Sequence, residues 1–325
     1  MAIRMTFAKK NELPEVVVNK LPAAQPVKVS NLNMFKQLDR GLTCNEQDKQ
    51  RIKKVEEILQ ELDSLIGLDS VKKLIMEIQA FVEIRKRREK ENLATEPLVF
   101  HSIYRGNPGS GKTTVARLVA RLFKEMGLLE KGHVIEVERA DLVGEYIGHT
   151  AHKTREQLKR AVGGVLFIDE AYSLARGGER DFGKEAIDTM VKNMEEYKDN
   201  LILILAGYKQ EMTWFMETNP GLRSRFPIQI DFPDYTVSEL LEIADLMLKK
   251  RQYELAEDAR MELENILMRA LKKGHEHSGN ARLVRNLIEK AIRIQAVRLL
   301  AEKLITKTEL VLITQSDILE AGEAL

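Results

Sequence analysis

With 325 residues, 44% of them hydrophobic and 31% charged, the chain has the length of about two ordinary domains and the balance of a soluble globular protein whose helices carry a charged outer face. Its 51 Lys and Arg nearly cancel its 50 Asp and Glu, so no overall field holds it to nucleic acid or an anionic membrane, and its single cysteine, Cys44, excludes an internal disulfide and cannot by itself build a zinc site. Residues 1–15 show no apolar stretch behind their positive charges and no apolar run is long enough to span a bilayer, so the expected location is the cytoplasm, without a membrane partner.

Residues 1–44 contain Pro14, Pro22 and Pro26 and little helical periodicity, and read as an extended or mobile lead-in. From Glu46 to Leu65 and from Ser70 to Arg88, apolar residues recur at helical spacing: Ile52, Val55, Ile58, Leu59 and Leu62, then Val71, Leu74, Ile75, Ile78 and Phe81. These predict two amphipathic helices broken at Ile66-Gly67. The basic run Arg85-Lys86-Arg87-Arg88, flanked by acidic residues, reads as a solvated helix end and not as a nucleic-acid patch.

Short apolar runs then alternate with helical stretches, the pattern of a parallel sheet with crossover helices. Strands are expected at Leu98 to Tyr104, Val134 to Val137, Gly164 to Ile168, Leu201 to Leu205 and Ile228 to Ile230. Helices are expected at Thr113 to Glu125, Lys153 to Ala161, Lys184 to Glu196 and Gln210 to Glu217. After Pro233 the pattern is helix alone, near Val237 to Arg251, Ala256 to Lys272 and Ala281 to Lys303. An α/β nucleotide-binding unit with its leading helices over residues 45–234, followed by a small helical domain over 235–325, is the expected organisation.

Gly106-Asn107-Pro108-Gly109-Ser110-Gly111-Lys112-Thr113 completes the pattern G-x-x-x-x-G-K-[ST] between a predicted strand and a predicted helix. The glycines let main-chain N–H groups turn around phosphates, the helix adds its positive end, and Lys112 reaches the β- and γ-phosphates of ATP. The Thr113 hydroxyl is expected to ligate Mg²⁺, and Thr114 continues the binding loop. Val165 to Ile168 is a buried strand that ends on Asp169-Glu170. Asp169 is expected to hold the metal, and Glu170 to be the general base that activates the attacking water. His149, His152, His275 and His277 have no acidic or thiolate partners at ligand spacing, and are not read as a metal site.

Residues 106–116, Arg139 to Ala151 (RADLVGEYIGHTA) and Phe167 to Leu174 (FIDEAYSL) resemble the CbxX/CfqX family of AAA+ ATPases, a resemblance that runs from about Ser64 onward. It implies a P-loop AAA+ domain with a parallel sheet, followed by a small C-terminal helical lid. It also implies a homo-hexameric ring acting on a protein client, with a role in spore formation. Tyr146-Ile147-Gly148 falls where such proteins carry an axial pore loop, an aromatic grip for a threaded chain that Gly144 and Gly148 would keep mobile. Asn219 to Phe226 falls where they carry an arginine finger for the neighbouring subunit, with Arg225 the first choice and Arg223 the second. Gly279-Asn280-Ala281-Arg282 resembles the sensor-2 position, with Arg282 turned toward nucleotide and Arg285 its competitor. Ile66-Gly67 resembles the adenine-contacting segment. Tyr208 stands where many members place a polar sensor-1 residue, although Ala206-Gly207-Tyr208 departs from that pattern.

Three functions remain open at this level: hydrolysis that drives protein remodelling, a nucleotide-dependent switch or scaffold, and a motor on nucleic acid. Glu170 argues against the second, and the near-zero net charge against the third.

Overall fold

The computed structural model describes residues 46–95, 99–146, 148–177, 181–272, 279–302 and 304–323; the lead-in expected over 1–44 lies outside them. Two helices come first, α1 (Glu46–Asp63) and α2 (Asp69–Lys90). They bury Ile58 and Leu62, then Val71, Ile75 and Val82, each set on one helical face. Two successive left-handed residues, Gly67 (φ +62°) and Leu68 (φ +60°), make the break between them. In the basic run, Arg85 pairs with Glu89 (2.8 Å) and Arg87 with Glu83 (3.4 Å) along the helix, as a solvated end should. Lys86 departs from that reading. Its amine donates to the Met126 carbonyl, and burial holds its pKa below the ordinary lysine range.

The α/β unit follows as β1 (Ser102–Gly106), α3 (Lys112–Glu125), β2 (Val134–Val137), a one-turn α4 (Arg139–Leu142), α5 (His149–Ala161), β3 (Val165–Ile168), a 3-10 turn (Ala171–Ala175), α6 (Gly183–Glu196), β4 (Ile202–Gly207), α7 (Lys209–Thr218), a one-turn α8 (Pro220–Arg223) and β5 (Ile228–Phe232). The strands form one parallel sheet in the order β2-β3-β4-β1-β5. Its central strands are apolar on both faces because helices cover both. Tyr104, Phe167, Ile204 and Ala206 point into a core shared with α1 to α3, while Ile103, Leu166, Ile168 and Leu205 point into the opposite core against α5 to α7. The β1–β4 connection order places the end of β1 where crossovers leave in opposite directions, the position at which sheets of this kind hold ligands.

β1 begins at Ser102, later than the sequence suggested, and Leu98 lies outside the described residues. The N–H of Leu203, which faces this strand, donates to the His101 ring Nδ1 (3.1 Å). His101 is buried and neutral: desolvation pushes its pKa down from 6.5 to about 4. Because the folded value lies below the unfolded one, acid favours the unfolded chain, and the loss sets in as pH falls below 6.5 toward 4. We expect His101→Gln, which retains an acceptor, to remove about 2 kcal/mol of the loss between pH 7 and pH 4.5. Urea unfolding of both proteins at the two pH values checks this, and identical pH dependence would refute it.

The remaining elements are α9 (Val237–Lys250), β6 (Glu254–Leu255), α10 (Glu257–Lys272), α11 (Asn280–Leu300), α12 (Lys307–Val311), β7 (Leu312–Ile313) and α13 (Gln315–Gly322). Thr236, Thr306 and Thr314 open α9, α12 and α13 with an acidic residue three positions on, each a reciprocal cap. The expectation of helix alone is corrected here: β6 and β7 pair in parallel, Glu254 with Leu312 and Leu255 with Ile313. Two-residue runs are too short to show a strand period. α13 is fixed by Asp317, fully buried, whose two oxygens accept from Arg298 at 2.9 Å each.

Candidate active site

The loop from Gly106 to Thr113 joins β1 to α3. Gly111 stands at the N-cap of α3 with φ +99°, a backbone that favours glycine, and no side chain caps the helix. The first N–H groups of α3 are thereby left for an anion. Lys112 donates to the Gly106 and Asn107 carbonyls (2.8 and 2.9 Å). Burial lowers its pKa and the Asp169 carboxylate opposes that shift. Ser110, fully buried, donates from its hydroxyl to the Asn107 carbonyl (2.8 Å) and braces the loop from behind.

A cleft of about 550 Å³ lies between this loop, the end of β3 and the helices α9 and α11. Its lining combines the polar Lys112, Thr113, Thr114, Asp169 and Glu170 with the apolar Leu65, Ile66, Ile243 and Met247 and the ring of Tyr235. Such a mixed lining suits a molecule with a flat apolar base and a charged tail. Asp169 is anchored by its N–H to the Val137 carbonyl (3.0 Å), and its Oδ1 accepts from the N–H of Glu170 (3.0 Å). Glu170 has left-handed backbone (φ +47°, ψ +42°), a local cost of roughly 1 kcal/mol or more that throws its side chain out of the strand line.

Among the described residues no group of three or more His, Cys, Asp or Glu can hold a metal ion; His275 and His277 lie outside them. Thr113 and Asp169 offer hard oxygens in one cleft, beside the uncapped α3 terminus. That donor set fits Mg²⁺, which keeps water and substrate oxygens around one or two protein ligands.

Arg282 and Arg285, on the first turns of α11, both line the cleft, and the charge of Arg282 adds to the downward shift of Lys112. Tyr208 caps the start of α7 and lines it too. Burial raises its hydroxyl pKa, with the Glu170 and Glu211 charges adding to the effect. Ile66 lines the cleft but Gly67 does not; it is closed in by the lid, where a Cβ would stand 2.3 Å from Glu239 Oε1.

Tyr146, Arg223 and Arg225 are not brought to this cleft. Tyr146 is 66% exposed, its ring edge-on to His149 at 5.4 Å, and Gly148 caps α5 with φ +82°. Ile147 lies outside the described residues. Arg223 is exposed. Arg225 donates to the Gly221 carbonyl (2.9 Å), while its buried Nε has no hydrogen-bond partner among the described residues and lies 3.5 Å from the Glu195 carboxylate.

Sequence reasoning missed Tyr235, Ile243 and Met247 as site residues. Ile243 and Met247 are four apart on α9, a spacing that reads the same for core as for a pocket wall. Asp234 and Asn280 were noted only as a boundary and as part of the Gly279 to Arg282 motif; their contacts become visible only in three dimensions.

Residues 103–234 match the family described as "ATPase family associated with various cellular activities (AAA)", and residues 236–324 match the AAA lid domain. The chain is 52% identical over 271 residues to stage V sporulation protein K of Bacillus subtilis (strain 168), covering 83% of this chain and 84% of that one. It is 48% identical over 245 residues to Protein CbbX of Cereibacter sphaeroides, covering 75% and 79%. It is 45% identical over 285 residues to the chloroplastic ribulose bisphosphate carboxylase/oxygenase activase of Cyanidioschyzon merolae (strain NIES-3377 / 10D), covering 86% and 96%. Among solved structures, the Thermotoga maritima RuvB Holliday junction branch migration motor is similar in fold, with TM-score 0.54 and 23% identity over 81% of this chain and 71% of that one.

Proposed function

The chain belongs to the AAA family of ATPases, in its CbxX/CfqX branch, and is an ATP hydrolase; from that premise we propose that it works as a homo-hexameric ring in the cytoplasm, remodelling a protein client during spore formation. The observation that carries the remodelling reading is Tyr146. It is 66% exposed, follows β2 and not β1, sits between Gly144 and Gly148, and does not itself line the nucleotide cleft. An aromatic ring on such a loop can grip a chain of any sequence. The likeness to stage V sporulation protein K supports the process. The arginines outside the cleft of their own subunit support the ring, since a second copy can present them to its neighbour.

In this reading the uncapped α3 terminus and Lys112 hold the β- and γ-phosphates, the amine exchanging the Gly106 and Asn107 carbonyls for phosphate oxygens. Thr113 and Asp169 would hold Mg²⁺, which when bound would neutralise charge on the phosphate oxygens. Glu170 takes a proton from water as its oxygen bonds to the γ-phosphorus and the bond to the bridging oxygen breaks, giving ADP and phosphate. Tyr208 and Arg282 sense the phosphate from β4 and the lid, and Ile66-Gly67 borders the base.

Tyr146→Ala tests the purpose of this hydrolysis. Basal ATPase is expected to stay within about threefold of wild type, a change of roughly 0.6 kcal/mol in the barrier. Client-stimulated ATPase and client remodelling should fall about tenfold or more. Ring assembly is measured in parallel, because a collapsed oligomer would imitate a gripping defect. An assembled Tyr146→Ala ring that remodels a verified client at the wild-type rate would overturn the threading reading in favour of a switch or scaffold.

A further inference from the structure

The phosphate loop is held, residue by residue, by the hinge residues 234–235 and the first turn of α11. The Asn107 amide donates to both carboxylate oxygens of Asp234 (3.0 and 2.9 Å). The Pro108 carbonyl accepts from the Asn280 amide (3.4 Å), the Gly109 carbonyl from the Ala281 N–H (3.3 Å), and the Ser110 carbonyl from the Tyr235 hydroxyl (3.3 Å). Four consecutive loop residues thus meet partners from residues 234–235 or from the first turn of α11. The approach is as close as main chains allow: a Cβ on Gly109 (φ +73°) would stand 2.4 Å from the Gly279 carbonyl oxygen and 2.8 Å from the Arg282 nitrogen.

Asn280 is the hub of these contacts. It is 1% exposed and has left-handed backbone (φ +43°), which asparagine tolerates better than most residues. Besides the Pro108 carbonyl, its amide donates to Asp234 (2.7 Å), and its Oδ1 accepts from the N–H of Tyr235 (3.0 Å). In a trans peptide the carbonyl and the following N–H point opposite ways. Holding the Pro108 and Ser110 carbonyls on Asn280 and Tyr235 therefore fixes the orientation of the Gly109 and Gly111 N–H groups, which point away from those donors.

We propose that Asn280 is a positioning residue for nucleotide binding: through Asp234 and the Pro108 carbonyl it sets the phosphate loop, so that affinity for ATP and ADP depends on the lid being clasped to the loop. The proposal rests on the reading of the cleft as the nucleotide site, and adds a device that makes no contact with the reacting atoms.

The test uses the full chain and a swap of the pair. Asn280→Asp sets two carboxylates against each other where an amide met a carboxylate, and Asp234→Asn in the same chain restores an amide–carboxylate pair with the roles exchanged. The Asn280→Asp protein is expected to raise the KM for ATP and the Kd for ADP at least about tenfold, with kcat at saturating ATP within about threefold of wild type. The double variant regains the contact between positions 234 and 280 but no donor to the Pro108 carbonyl, and is expected to recover at least about threefold in each constant. A merely structural role would instead lower Tm and the active fraction while leaving KM and Kd in place. Should Asn280→Asp fail to fold, Asn280→Gly, which keeps the left-handed backbone, should weaken both constants about fivefold. Constants within twofold of wild type in the folded single variant, or a double variant no better than the single, would overturn the proposal. Wild type that binds no ADP would sink the reading of the cleft itself, a different failure.

Discussion

Glu170→Gln should bind ATP as wild type does and turn it over at least about a hundredfold more slowly. The substitution keeps the length and shape of the side chain and leaves Lys112, Thr113 and Asp169, the groups assigned to phosphate and metal, untouched. Asp169 keeps its own anchors, the Val137 carbonyl and the Glu170 N–H, neither of which involves the Glu170 carboxylate. What is lost is the only group in this assignment that accepts the proton of the attacking water; an amide oxygen is far too weak a base to take it. Equilibrium binding of ATP and steady-state phosphate release, measured on one preparation, separate the two quantities. Undiminished release would mean that the base lies elsewhere, and weakened binding would mean that Glu170 supports the ground state.

The second large effect is expected across a subunit boundary. Arg225→Ala should lower ATPase by about 10³ or more, because a guanidinium supplied in trans stabilises charge that develops only as the phosphoryl group transfers. Among the described residues the buried Nε of Arg225 has no hydrogen-bond partner and lies 3.5 Å from a Glu195 carboxylate that is itself mostly exposed, so the guanidinium is only partly satisfied by them. Arg225→Ala and Glu170→Gln proteins, each inactive alone, should recover ATPase when mixed, since some interfaces then join an intact Arg225 to an intact Glu170. Proven co-assembly without recovery would place the role of Arg225 within its own subunit. The same mixture made with Arg223→Ala then decides whether the exposed neighbour is the finger.

Long periodic elements were legible in the sequence, and so was the phosphate loop. The apolar runs at 165–168 and 201–205 mark strands buried on both faces, and the spacing in 113–125 and 184–196 marks helices with one buried side. Each of these signals is carried by several residues in a row. Illegible were the features that rest on one or two residues, or on a partner far away in the chain. β6 and β7 are two residues each and are paired across more than fifty positions. The late start of β1 depends on an imidazole at 101 accepting from Leu203. The burial of Lys86 depends on a carbonyl at 126, and nothing near it in sequence distinguishes it from Arg85 or Arg87. The site shows the same division. Gly106 to Thr113 and Asp169-Glu170 are contiguous, whereas Tyr235, Ile243 and Met247 of its wall and the partners that grip the loop come from residues 234–247 and 280–282, which meet the loop only after the chain has folded back.

That folding back has an order in time. The lid closes through elements that leave the ribosome after α11: β7 completes the ribbon with β6, and α13 seats Asp317 on Arg298. The sheet and its phosphate loop are synthesised first and can form without them. At ordinary elongation speeds the roughly eighty residues from the hinge to α13 take on the order of 5–15 s. Until α11 begins, about halfway through that interval, the loop has its Asp234 and Tyr235 partners but lacks Asn280 and Ala281. If affinity depends on the clasp, a chain that has not yet reached α11 captures ATP poorly and does not burn it, and competence arrives only once Asn280 has been added and seated.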